Sequence, residues 1–209
     1  MTRSRTLTLG LLLVAVLALV VAVVVTRQPA PGPGSAATTL VREDSPRLTG
    51  GDEVQVVEYL DFECESCLLM HPFVEDLKET YGDRIELVVR YLPLHVSSVN
   101  AALAAEAAGN QGAYEEMYDR LFAGAEEWGH QQTPEREQFF VYAEELGLDM
   151  ERFTADFDAP ATLAVVEQSE ADARANGVTS TPTFFVDGER LELTRTDDVA
   201  RAVAEALGD

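Results

Sequence analysis

Residues 7–25 form the longest apolar run in the chain and carry no charged side chain. A helix of that length spans roughly 28 Å at about 1.5 Å per residue, close to the hydrocarbon thickness of a bilayer. The run is apolar on all faces, which predicts a membrane-spanning helix over a half-buried core helix. A cleaved signal peptide has a shorter apolar region of about 7 to 15 residues and an A-x-A-like site. Neither is present, so an uncleaved anchor over residues 1–27 is the expectation, with cleavage the other reading. Arg3, Arg5 and the terminal amine outweigh Arg27. The positive-inside rule then leaves the N-terminus cytoplasmic and the remaining chain outside the membrane. Residues 28–37 are rich in Pro, Gly and Ala and read as a tether, and residues 38–52 as an extended lead-in.

From residue 53 the pattern changes to that of a folded domain. V-Q-V-V-E-Y-L over 54–60 is β-branched and bounded by Gly50 and Gly51, which predicts a buried strand interrupted by Glu58. Apolar positions 69, 70, 73, 74, 77 and 81 then follow a helical spacing, with Gly82 as the expected C-cap. Pro72 is expected to kink that helix or break its first turns. R-I-E-L-V-V-R-Y-L over 84–92 predicts a second strand and completes a β-α-β unit.

Residues 97–176 read as helical for most of their length. They hold an alanine-rich stretch over 100–108, a Tyr114, Tyr118, Leu121, Phe122 stripe, and further helices over 134–146 and 161–175. Trp128 and that stripe read as core of the helical block. Strand signals return at 183–186, where Asp187-Gly188 suggests a tight turn into 190–193. A last helix is expected over 197–207. The predicted order is β-α-β, a helical insertion, then β-β-α, in one α/β domain over 53–209.

Composition supports a single domain. With 209 residues and 46% hydrophobic side chains there is enough for one core of ordinary size. The formal charge is −22, and beyond residue 27 twelve basic side chains face 37 acidic ones. Nucleic-acid binding requires a positive surface and is excluded as the expected activity.

The only two cysteines stand in Cys64-Glu65-Ser66-Cys67, between the first strand and its helix. Thiols spaced C-x-x-C at a helix start can close and reopen a small disulfide ring, because backbone N–H groups and the helix dipole stabilise the first sulfur as thiolate. A static structural disulfide and a metal site are the competing readings. Haem attachment wants His at position 68, where Leu68 stands, and no further zinc ligands are visible.

Phe62-Glu63-Cys64-Glu65-Ser66-Cys67, Glu58 six positions before the first cysteine, and Thr181-Pro182-Thr183-Phe184-Phe185-Val186-Asp187-Gly188 together resemble the DsbA-like branch of thioredoxin-fold thiol-disulfide oxidoreductases. The resemblance covers roughly 54–207, and the block at 97–176 looks like that branch's helical insertion. It implies that Cys64 is the exposed attacking sulfur and Cys67 the buried resolving one. It places Glu58 as the acid beneath the active site and Pro182, after Thr181, as a cis-proline facing the disulfide. A carboxyl in an apolar strand has a raised pKa and can relay the Cys67 proton; an edge position facing water is the other reading for Glu58. No bound cofactor or metal is implied. The expected partners are cysteine-containing exported proteins and a membrane or soluble redox partner, in an oxidising compartment on the outer face of the cell membrane. Disulfide donation to those proteins is the expected activity; a membrane-anchored disulfide reductase or isomerase, or a non-catalytic holdase or adaptor with a structural disulfide, is the alternative.

The acidity of Cys64 can be weighed from its neighbours. A helix N-terminus supplies up to about 2 kcal/mol of thiolate stabilisation. Glu63 and Glu65, each at about 6 Å through water, would oppose it by about 0.7 kcal/mol each. The near-cancellation predicts a Cys64 less acidic, and a disulfide less oxidising, than in relatives with C-P-H-C, whose histidine helps the thiolate. A thiolate titration with a midpoint below about pH 5 would refute it. His71 reads as exposed or packed at the proline kink, and His95 and His130 as surface residues without partners.

Overall fold

The computed structural model describes residues 39–209; the expected anchor at 1–27 and the whole tether at 28–37 lie outside them. Among the described residues no helix is long and apolar enough to cross a membrane. Four strands and eight helices follow in the predicted order. Strand β1 (Val54–Leu60) is joined by helix α1 (Glu65–Tyr81) to β2 (Ile85–Tyr91). The helical block comprises α2 (Ser98–Gly109), α3 (Tyr114–Ala123), α4 (Ala125–Trp128), α5 (Glu137–Glu145), α6 (Met150–Phe157) and α7 (Pro160–Ala175). Then come β3 (Thr183–Val186), β4 (Glu189–Arg190) and α8 (Asp198–Leu207).

The sheet order is β2-β1-β3-β4, with β1 parallel to β2 and antiparallel to β3. A parallel pair needs a crossover, which α1 supplies. Both long strands are buried on both faces, which is why their sequences read as nearly continuous apolar runs. One face packs Val56, Leu60, Leu87 and Val89 against α1 and the helical block. The other packs Val57, Tyr59, Val88 and Phe185 against Ala173 of α7 and Val178. The Asp187-Gly188 turn carries positive φ at both residues, 47° and 83°, as a two-residue hairpin requires.

Three local expectations are refined. Helix α1 runs without a break through Pro72 to a right-handed cap at Gly82. The lead-in is extended and bonds along the outer edge of β2: Leu48 and Gly51 amides donate to Leu87 and Ile85 carbonyls, both at 2.9 Å. Gly51 is required there, since a Cβ would fall 2.2 Å from the Arg84 backbone. The second strand of the hairpin is shorter than expected: β4 has two residues, with the Leu191 amide still donating to the Phe184 carbonyl at 2.9 Å.

The alanines of α2 explain how the insertion docks. Ala101, Ala104, Ala105, Ala107 and Ala108 are completely buried, and side chains this small let neighbouring helices approach closely. Tyr118, Leu121, Phe122 and Trp128 are core residues, and the Trp128 Nε1–H donates to the Leu121 carbonyl at 3.0 Å.

Candidate active site

Cys64 is the N-cap of α1, with extended backbone and its amide donating to the Asp61 carbonyl at 3.1 Å. Cys67, one turn on, is 1% exposed, and Cys64, expected to be the exposed sulfur, is itself mostly buried at 9%. Opposite them the Thr181–Pro182 peptide bond is cis, and the Cys64 Sγ–H donates to the Thr181 carbonyl at 3.5 Å. Glu58 lies on β1, an inner strand, 1% exposed, and its Oε2 has no partner. The five residues singled out in the sequence therefore meet at the end of the sheet from which α1 departs.

The two sulfurs are driven apart. The Cys64 pKa is lowered to about 5: the Cys67 thiol donates to it, and the amides of Cys67 and Ser66 add to this against the opposing effect of burial. Burial pushes Cys67 well above the ordinary thiol range, aided by its proton's engagement with Cys64 and by the Glu58 charge. Burial alone raises Glu58 to about 8. The two effects weighed from the sequence therefore do not cancel, while a value of about 5 does not fall below the limit set for the comparison with C-P-H-C relatives. Weighing sequence neighbours missed the largest contributor, the facing Cys67 thiol.

Glu63 is also not the exposed opposing charge the sequence suggested. It is 4% exposed, with one oxygen accepting from the Ser97 amide at 2.6 Å and the other from the His130 amide at 2.7 Å. Asp61 is equally buried and accepts from the Glu63 and Leu94 amides and the Ser98 hydroxyl. These carboxylates fasten the active-site turn to the start of α2 and to the segment after α4.

His95 and His130 are corrected as well. His95 Nδ1 lies 2.7 Å from Asp61 Oδ2, and that carboxylate raises the His95 pKa against the opposing effect of burial. His130 Nε2 lies 3.4 Å from Glu65, and the two imidazoles face each other at 6.3 Å. Both belong to the active-site rim. Their partners are 34 and 65 residues away, so no local pattern marks them. A cleft of about 210 Å³ beside Cys64 is lined by Phe62, Leu68, Ala125, Glu126 and His130.

His71 packs as one of its sequence readings proposed, stacked on Phe122 at 4.6 Å. It forms a set of possible donors with Glu75 and Asp119, but Lys78 already holds both Glu75 oxygens at 3.0 Å.

A C-x-x-C pair at the start of a crossover helix, faced by a cis-proline loop on a neighbouring strand, defines the thioredoxin-fold class of thiol-disulfide exchange proteins. The chain belongs to the thioredoxin family, which it matches over residues 51–205. It is similar to the crystal structure of a thioredoxin-like oxidoreductase from Silicibacter pomeroyi DSS-3, with 29% identity and a TM-score of 0.69, covering 84% of this chain and 99% of that one. The alpha-DsbA1 protein of Wolbachia pipientis (19% identity, TM-score 0.70, 81% and 94% covered) and BdbD of Bacillus subtilis (19%, 0.65, 79% and 94%) share the fold. The DsbA-like branch is thus the one its structural neighbours carry. Among curated relatives, the Na(+)/H(+) antiporter NhaA of Herminiimonas arsenicoxydans is 44% identical over 154 residues. The match takes in 74% of this chain and 24% of that protein, so the chain spans about a quarter of the relative's length.

Proposed function

We propose that this protein is an extracytoplasmic thiol-disulfide oxidoreductase that donates the Cys64–Cys67 disulfide to cysteines of exported proteins. The observation that carries this reading is the split between the two sulfurs, with Cys64 brought down to about 5 and Cys67 held protonated. A thiolate stabilised in the reduced form makes the disulfide oxidising, because the dithiol state is the one favoured. A substrate thiolate attacks Cys64, Cys67 leaves and takes up a proton, and a second substrate thiol displaces Cys64 as its own disulfide forms. Glu58, buried beneath Cys67, is the group proposed to hold that proton, and the Thr181–Pro182 loop the one proposed to line up the substrate backbone. The apolar run at 7–25 supports a single-pass anchor with the domain outside the membrane. The antiport named for the longer relatives is not extended to this chain, which matches a minor part of them.

The test is the equilibrium potential in glutathione buffers with thiols trapped by alkylation. A value between about −120 and −180 mV supports disulfide donation; one near −270 mV indicates a reductase. Cys64→Ala is expected to abolish exchange with an unfolded substrate. Full retention of function in that variant would leave the holdase or adaptor reading.

A further inference from the structure

A set of buried hydroxyl and carboxyl groups runs from beneath the sulfurs into the helical block, and beyond Glu58 the exchange step leaves it unused. Glu58 Oε2 and the Tyr118 hydroxyl are both fully enclosed and both lack a partner. Unpartnered buried polar groups are unfavourable, and phenylalanine at 118 would fill the same space without one. Tyr118 lies close enough to Glu58 and Cys67 for both charges to oppose its ionisation. Its ring is 6.4 Å from that of Tyr114, the next tyrosine on α3. Beyond it the chain is hydrogen-bonded. Tyr91 Oη is 2.7 Å from Glu106 Oε1 and 2.9 Å from Tyr114 Oη. Tyr91 has one proton, so when it donates to Glu106 it accepts from Tyr114. Glu106 and Tyr114 are only partly buried, which brings the set to the surface.

We propose that the Tyr118 hydroxyl exchanges protons with Glu58, and that Tyr114, Tyr91 and Glu106 carry them to and from solvent. The inference rests on the exchange reading and gives α3 and β2 a part in it. When the ring closes, Cys67 sulfur bonds to Cys64 sulfur, the Cys64–substrate S–S bond breaks, and the substrate sulfur leaves with the electron pair. As the Cys67 proton passes to Glu58, the proton Glu58 already carries moves on to Tyr118, and one proton leaves at Glu106. Ring opening runs the same path inward. Tyr118 is faced by Glu58 from β1, by Cys67, His71 and Glu75 from α1, and by Tyr114 on its own helix. Glu106 is faced by Tyr91 from β2, Tyr114 from α3 and Asp44 from the lead-in.

The test follows the reduced full-length protein reacting with oxidised glutathione, with acid quench and alkylation separating glutathione addition at Cys64 from ring closure by Cys67. Tyr118→Phe and Glu106→Gln are expected to slow ring closure about tenfold or more while leaving addition at Cys64 unchanged. The thermal midpoint of Tyr118→Phe is expected not to fall. Imidazole buffer should accelerate closure in Glu106→Gln and leave the native chain unaffected, a response that a packing role would not produce. Closure at the native rate in both variants overturns the proposal, as does an equal slowing of both steps. If the native chain adds no glutathione at Cys64, the exchange reading itself fails, and this inference with it.

Discussion

The two faces of the sheet each bury a carboxylate, and they treat it in opposite ways. On one face Asp172 accepts from Arg90 at 2.6 Å and from Arg42 at 2.8 Å. Although burial opposes it, the two guanidinium groups bring Asp172 down to about 2. Arg90 is itself buried and also donates to the Leu40 carbonyl, so the lead-in, β2 and α7 are fastened at one point. On the other face Glu58 has no cation, one unpartnered oxygen, and a pKa raised to about 8. A buried charge that is fully paired holds elements together, whereas one left unpaired is available for proton transfer. Position alone does not tell them apart, since Glu58 and Arg90 both interrupt apolar strands.

The largest effect should come from breaking the paired side. Asp172→Asn leaves Arg90 buried without its counter-charge and is expected to cost about 3 to 5 kcal/mol in denaturant unfolding. The comparison would collapse if that variant were as stable as the native chain.

The unpaired side should show itself in the pH dependence of stability. The folded pKa of Glu58 lies above its ordinary 4.5, so the native state holds a proton that the unfolded chain has released. Its contribution is present below 4.5 and is lost as pH rises towards about 8. The slope approaches about 1.4 kcal/mol per pH unit, and Glu58→Gln should flatten it. Asp172 has the reverse sign: its folded pKa lies below its ordinary 3.8, so its contribution is lost as pH falls towards about 2. Unfolding curves collected across both windows separate the two groups. The smallest expected change is that of Arg42→Ala, which removes the more exposed partner and leaves Arg90 in place, at about 1 kcal/mol. A loss as large as that of Asp172→Asn would mean that Arg42 carries the pairing.

Much of this arrangement was legible before the structure. The apolar runs at 54–60 and 84–92, the helical spacing from 69 to 81 and the Asp187-Gly188 turn are local patterns, and each became the expected element. The extra helices α4 and α6 were not separated because turns of four and eight residues give too few periods to read. At the site, the thiol pair and Pro182 stood out by spacing and resemblance. Asp61, Glu63 and His95 did not, because their meaning lies in bonds to residues 33 to 67 positions away. The weighing of Cys64 acidity was incomplete for a related reason: the charges of Glu63 and Glu65 were counted, and the facing Cys67 thiol was not.

The lead-in bonded along β2 has a consequence for the company this protein is proposed to keep. Unfolded chains seek free strand edges and zip onto them, which is how aggregates grow. Here one border of the sheet is already occupied by residues 47–51, and the other ends in the two-residue, charged Glu189–Arg190. Neither border offers a length of open backbone for a client to template upon. A client would be held through its sulfur and the short Thr181–Pro182 loop, and released when the sulfur bond is exchanged.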